Sequence, residues 1–223
     1  MQRAERISDA YGLVLFLILV TFVVTMTLPQ EGKAGRVAAI AASALTSIVA
    51  LTSSDVRAAR VRLAASVSAV AIVLAVLGVA IPSDPLLGAA FLAETVLLAV
   101  AAVTILRRVI GAIDVDFRTI LGAISVFTML GLLFSSAYLA LARFQSGEVF
   151  TGVSNPRSSD FLFFSYTTLT TTGYGNLVPA GVVGQSIAVF EMLIGQIFLV
   201  TLVAGLVSLW RPGSKLPADE KRG

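Results

Sequence analysis

Apolar residues in this chain gather into six long runs, over 11–28, 37–53, 63–81, 86–106, 120–141 and 182–210. A helix needs about 20 apolar residues to cross the roughly 30 Å hydrocarbon core of a bilayer. Unpaired backbone is so costly in lipid that runs of this kind must be helical. The composition agrees: 57% of residues are apolar and 13% charged, with a mean hydropathy of +0.94. A soluble domain has about 45–50% apolar and about 25% charged residues. The runs therefore predict an all-α membrane protein with six transmembrane helices. Thr27, Leu28, Pro29 and Gln30 follow the first run directly, with no small-residue cleavage site, so that run is expected to be a retained helix and not a signal peptide.

The chain has neither cysteine nor histidine. This excludes a disulfide framework, thiolate and imidazole metal sites, and Ser-His-Asp catalysis. With no catalytic constellation left, the chain is expected not to be an enzyme and to need no cofactor. A net charge of +3 offers little to a nucleic acid. Lys and Arg accumulate in cytoplasmic loops. With the N-terminus inside, twelve of the sixteen Lys and Arg fall on the cytoplasmic side, and Lys33, Arg36, Arg143 and Arg157 fall outside. Both termini are thus expected in the cytoplasm of a multi-pass protein of the plasma membrane.

Between the fifth and sixth runs, residues 143–181 are too polar for another full span. Ser159 and Asp160 read as a helix N-cap, and Phe161 to Tyr166 form an apolar-aromatic stretch. About a dozen helical residues rise roughly 18 Å, about half of the hydrocarbon thickness. A half-length helix that returns through non-helical backbone is a re-entrant loop, and such backbone survives at membrane depth only in protein or along a watery path.

The loop ends in Thr171-Thr172-Gly173-Tyr174-Gly175-Asn176, which resembles the selectivity filter of potassium channels. In that family, backbone carbonyls from four copies replace the hydration shell of the ion. The resemblance implies K+ as permeant ion at Thr171, Thr172, Gly173 and Tyr174, with Gly175 completing the filter. Gly173 and Gly175 permit backbone angles that other residues resist, and the Thr171 hydroxyl adds an oxygen. Residues 163–195 align without gaps to the pore of two-helix bacterial potassium channels. Gly195 then falls on the inner-helix hinge of that family; tight helix packing is the other reading of this glycine. Gln196, Leu199, Val203 and Val207 share a helical stripe and are assigned to the cavity wall.

Three residues depart from the family pattern. Asn176 stands where Asp is usual, Thr172 replaces Val, and Phe163 and Phe164 occupy positions where tryptophans often brace the filter. Phenylalanine has no ring donor. Phe163, Phe164, Tyr166, Thr167, Asn176 and Glu191 are assigned to filter support. Glu191 is an ionisable residue inside a span and so a functional candidate. It is expected to face the back of the re-entrant helix and bond Thr167 or Tyr166; exposure near the ion path is the other reading. Glu94 is read as a buried inter-helix hydrogen-bond partner.

The expected organisation is a cytoplasmic N-terminus (1–10), a four-helix peripheral domain (11–106), a cytoplasmic linker (107–118), a pore domain (119–210) and a cytoplasmic tail (211–223) too short for a ligand-binding domain. The resemblance implies a homotetramer in the lipid bilayer, four-fold symmetric and potassium-selective. A poorly selective monovalent cation channel is the alternative. A potassium-uptake transporter subunit fits less well, because those proteins fuse four pore-like repeats and only one occurs here.

Voltage sensing needs several cations within a span, each worth about 2.3 kcal/mol per 100 mV. The run at 86–106 has no Lys or Arg. Arg57, Arg60 and Arg62 flank a cytoplasmic loop, where the positive-inside rule accounts for them. Replacing all three with glutamine is therefore expected to leave conductance–voltage curves in place. A large shift of a steep curve would contradict this.

Overall fold

The computed structural model describes residues 2–27, 33–52, 58–81, 83–111 and 117–209. They form seven helices: α1 (Gln2–Thr27), α2 (Lys33–Thr52), α3 (Ala58–Ala80), α4 (Asp84–Ile110), α5 (Phe117–Phe144), α6 (Ser158–Leu169) and α7 (Val182–Leu209). No strand forms among the described residues; Phe150 makes isolated bridges with Val153 and Pro179. Three helices are long and apolar enough to cross a membrane: Asp84–Ile110, Thr119–Phe144 and Val182–Gly205. The described apolar parts of α1 to α3, Tyr11–Thr27, Ala38–Thr52 and Ala65–Gly78, are shorter. Arg57 and the tail 211–223 lie outside the described residues, as do the side chains of Arg60 and Val207.

Local sequence explains the best-defined helix ends. Ser83 in extended conformation precedes α4, whose first turn holds Asp84 and Pro85 and whose last turn holds Arg107 and Arg108. Acid at the start and base at the end suit the helix dipole, and proline's missing N–H costs nothing in a first turn. One face of α4 buries Leu87, Phe91, Glu94, Leu98, Ala101 and Ile105, a repeat of three to four residues that lays a stripe against a neighbour. That neighbour is chiefly α5, the most extensive pairing in the fold. The helices α2 and α3 pack on α4, and α1 packs on α2 and reaches α5 and α6.

Buried hydroxyls are common in this interior, and most donate to their own helix. Thr21, Thr25, Ser43, Thr46, Thr95 and Ser125 each bond the carbonyl four residues earlier. Back-bonding of this kind lets a polar side chain sit in an apolar packing surface without an unpaired donor. Two hydroxyls also meet between helices: Thr21 and Thr46 at 3.0 Å, and Thr95 and Ser136 at 2.9 Å. The Ser43 hydroxyl lies between the Ala39 carbonyl and Glu94 Oε1, its single proton serving one at a time, and the contact ties α4 to α2.

The short helix α6 lies against α5 and α7. Its outward-facing Tyr166 reaches α5, where the phenol donates to the Thr128 carbonyl at 2.7 Å. On the other side the ring meets Phe22 of α1 edge-on, with centroids 5.4 Å apart. This seating requires a glycine: a Cβ at Gly131 would come 2.5 Å from the Tyr166 ring. Overpacking of a tight contact costs about 1–3 kcal/mol. Gly131→Ala should therefore lower the thermal midpoint of the purified protein. Gly12→Ala, at a helical site with open space around it, should hold or raise it, since alanine favours a helix by about 1 kcal/mol over glycine. Equal midpoints for the two variants would count against the contact.

Candidate pore-loop site

The helix α6, expected from the sequence to be re-entrant, has 12 residues, a rise of about 18 Å. Its N-terminus differs from the sequence expectation. The cap is Arg157, and Asp160 is the third helical residue, its Oδ2 accepting from the Arg157 N–H at 2.7 Å. The aspartate thus serves the first turn by reaching back, the second half of a capping box.

At its C-terminus the helix turns directly into the motif. The Thr167 carbonyl accepts both the Thr172 N–H at 2.8 Å and the Gly173 N–H at 3.1 Å, and the Thr171 N–H donates to the Thr168 carbonyl at 3.0 Å. These bonds fix the start of the extended segment to the last helical turn. From there φ is positive at every second residue: +57° at Thr171, +54° at Gly173 and +75° at Gly175. Thr171 is the sole non-glycine residue of this kind among the described residues, and for a β-branched side chain such a backbone is a real outlier. Alternating left- and right-handed residues turn each peptide so that successive carbonyls face the same side. None of the carbonyls of 171–175 accepts a hydrogen bond from the described residues. The result is an exposed row of oxygens over the motif at 171–175.

Tyr174 lies beside this row, 70% exposed in the single chain, with its ring stacked on Phe163 at 5.7 Å. Asn176 is exposed. Beyond it the chain is pinned by the loop after α5: Thr151 N–H donates to the Val178 carbonyl at 2.8 Å, and Ala180 N–H to the Val149 carbonyl at 2.9 Å. Phe150 is fully buried beneath this junction, its ring about 5 Å from those of Phe161 and Phe164. Phe164 packs in turn on Tyr138.

Glu191 is fully buried behind α6, but its partners are not the expected Thr167 and Tyr166. Tyr138 of α5 donates to its Oε2 at 2.8 Å. The Ser165 hydroxyl lies between Glu191 Oε1 at 2.6 Å and the Gly131 carbonyl at 2.8 Å, its single proton serving one at a time. Tyr166 instead bonds Thr128, and the Thr167 hydroxyl bonds the Phe164 carbonyl. The expectation failed because Ser165, not its neighbours, faces α7 on the helical wheel. Tyr138, Gly131 and Ser165 went unnoticed in the sequence; a tyrosine and a small hydroxyl on helices flanking a buried carboxyl were the available signal.

Gly195 lies against the end of α6. A Cβ there would overlap the Leu169 carbonyl oxygen, so α7 and α6 meet at backbone distance. Further along α7, Gln196 and Val203 are exposed in the single chain and Leu199 is half-buried.

Comparison with known proteins fits this geometry. A family model described as "Ion channel" matches residues 126–211, a stretch that includes most of α5 and all of α6, the filter segment and α7. An inward rectifier potassium channel, Kirbac3.1 of Paramagnetospirillum magnetotacticum, is 32% identical over 85 residues, 38% of this chain and 29% of that protein. No solved structure matches. Both findings point to an ion channel and not an enzyme. The close approach at Gly195 gives a test within this site. Gly195→Ala should cost folded protein, because neither backbone has room to give. A variant that folds with an unchanged thermal midpoint would count against the close approach.

Proposed function

We propose that the chain is one subunit of a homotetrameric potassium channel of the plasma membrane, with six spans and both termini cytoplasmic. The observation that carries this reading is the alternation of backbone handedness over Thr171, Gly173 and Gly175. It produces the unpaired carbonyl row that a dehydrated monovalent cation requires. One chain supplies one row; closing a cage around an ion takes four copies about a common axis. K+ is the permeant ion, held by the oxygens of Thr171, Thr172, Gly173 and Tyr174, and no cofactor takes part.

The sparse cover on α7 supports assembly. Among the described residues it packs on α5 and α6 alone, and Phe190, Leu193, Ile197, Val200 and Val203 remain exposed. An apolar helix so uncovered suits neighbours of its own kind around a central axis, with Gln196, Leu199, Val203 and Val207 lining the inner cavity. The C-terminal end of α6 carries partial negative charge and, aimed at that cavity, favours a cation there. Phe163, Phe164, Tyr166, Thr167, Asn176 and Glu191 hold the filter in position. The peripheral helices lack a cation array in α4, so opening depends weakly or not at all on voltage.

Reversal potentials of the purified protein in vesicles, under mixed potassium and sodium, test this reading. The potential should follow the potassium gradient, and Gly173→Ala should abolish flux while leaving the assembly intact. Equal permeability to sodium would replace this assignment with a poorly selective cation channel.

A further inference from the structure

We propose that one buried water molecule joins the peripheral helices to the pore domain, seated between Glu94 of α4 and Ser135 of α5. A cavity of ≈ 20 Å³ opens where α1, α2, α4, α5 and α6 meet; its polar lining is Thr21, Thr25, Glu94, Ser135 and Ser136. A water needs about 10–15 Å³ of such space and two to four polar partners, so the cavity takes one.

Two of the lining groups lack partners among the described residues. Glu94 Oε1 accepts from Ser43, but Oε2 has no protein donor. Ser135 is 3% exposed and makes no hydrogen bond. The reason lies on α5 itself. Thr21, Thr46 and Ser125 bond the carbonyl four residues earlier, which for Ser135 is that of Gly131, whereas Ser136 bonds three residues back and Ser47 and Ser68 have no partner among the described residues. That carbonyl is already approached by Ser165 Oγ at 2.8 Å. The bracing of α6 thus displaces the Ser135 proton, and the cavity is where it goes.

The occupant must accept from Ser135 and donate to Glu94. Water does both. A monovalent cation accepts no proton, and an apolar group leaves a donor and an acceptor buried and unpaired. With the water in place, polar contacts run from Ser43 through Glu94 to Ser135 of α5; one turn earlier on the same helix, the Gly131 carbonyl meets Ser165, which faces Glu191. The water thus ties α4 to the stretch of α5 that braces α6. This inference rests on the packing of the single chain and not on the ion selectivity proposed above.

A double-mutant cycle on the full chain tests it. Glu94→Leu and Ser135→Ala should each lower the thermal midpoint by about 2–4 °C, and the double variant hardly further, since either change empties the bridge. Glu94→Gln, which keeps an oxygen toward the cavity, should retain the midpoint. Ser125→Ala, on the same helix but bonded to its own Leu121 carbonyl, should add independently to Glu94→Leu. Additive losses from Glu94→Leu and Ser135→Ala would overturn the bridge. A high-resolution structure grown with thallium ions gives a second readout that needs no variant. Density at the cavity without anomalous signal is expected. A thallium peak, or no density, would overturn the proposal.

Discussion

A backbone carbonyl removed from water must find a partner, and the row at 171–175, exposed in the single chain, finds none among the described residues. Were such a group buried unpaired, it would cost about 1–3 kcal/mol on mutational scales. A segment of this kind persists only where water or ions occupy the space in front of it. The exposed row thus constrains the whole fold: something must hold the strained side of the segment while leaving the oxygen side open.

The holding is done mainly through N–H groups and the helix behind them. The last turn of α6 takes up the amides of Thr171, Thr172 and Gly173, which satisfies one side of the peptide row and forces the carbonyls to the other. Positive φ at Thr171, costly for a β-branched residue, is tolerated because three consecutive hydrogen bonds over-determine the turn. The position of α6 is then set from three directions. Gly195 lets α7 approach its end at backbone distance, Gly131 admits the Tyr166 ring against α5, and the Phe150 cluster closes the outer side. Each contact depends on a residue type that a volume change would spoil.

The short helix between two long ones and the glycine-containing segment after it were legible in the sequence, because a short apolar run broken by a glycine-rich polar stretch cannot continue as one long helix. The individual bonds were less legible. Glu191 was recognisable as a buried carboxyl, yet its partners depend on the rotation of α6 about its own axis, which a one-residue difference changes completely. Asp160 looked like a cap by residue type and proved to be the third residue of the helix. The strain at Thr171 had no signal in composition, since threonine normally avoids that backbone. The Gly131 and Gly195 contacts required knowing which helices cross, and small residues occur at many other places along these helices.

The absence of tryptophan from α6 changes how the filter segment can be supported. An indole braces by donating from its ring edge, but Phe163 and Phe164 have no donor to offer. Phe163 contributes stacking against Tyr174, and Phe164 fills space between Phe150 and Tyr138. The polar contact behind α6 is made by Glu191, whose two oxygens engage Tyr138 and Ser165 on different helices. A buried carboxyl with both oxygens engaged fixes the relative rotation of α5, α6 and α7 more tightly than apolar contact alone, because hydrogen bonds weaken steeply with angle. Apolar packing sets the distance between these elements, and the carboxyl sets their register. Two tasks that one ring could perform are here divided between two kinds of residue.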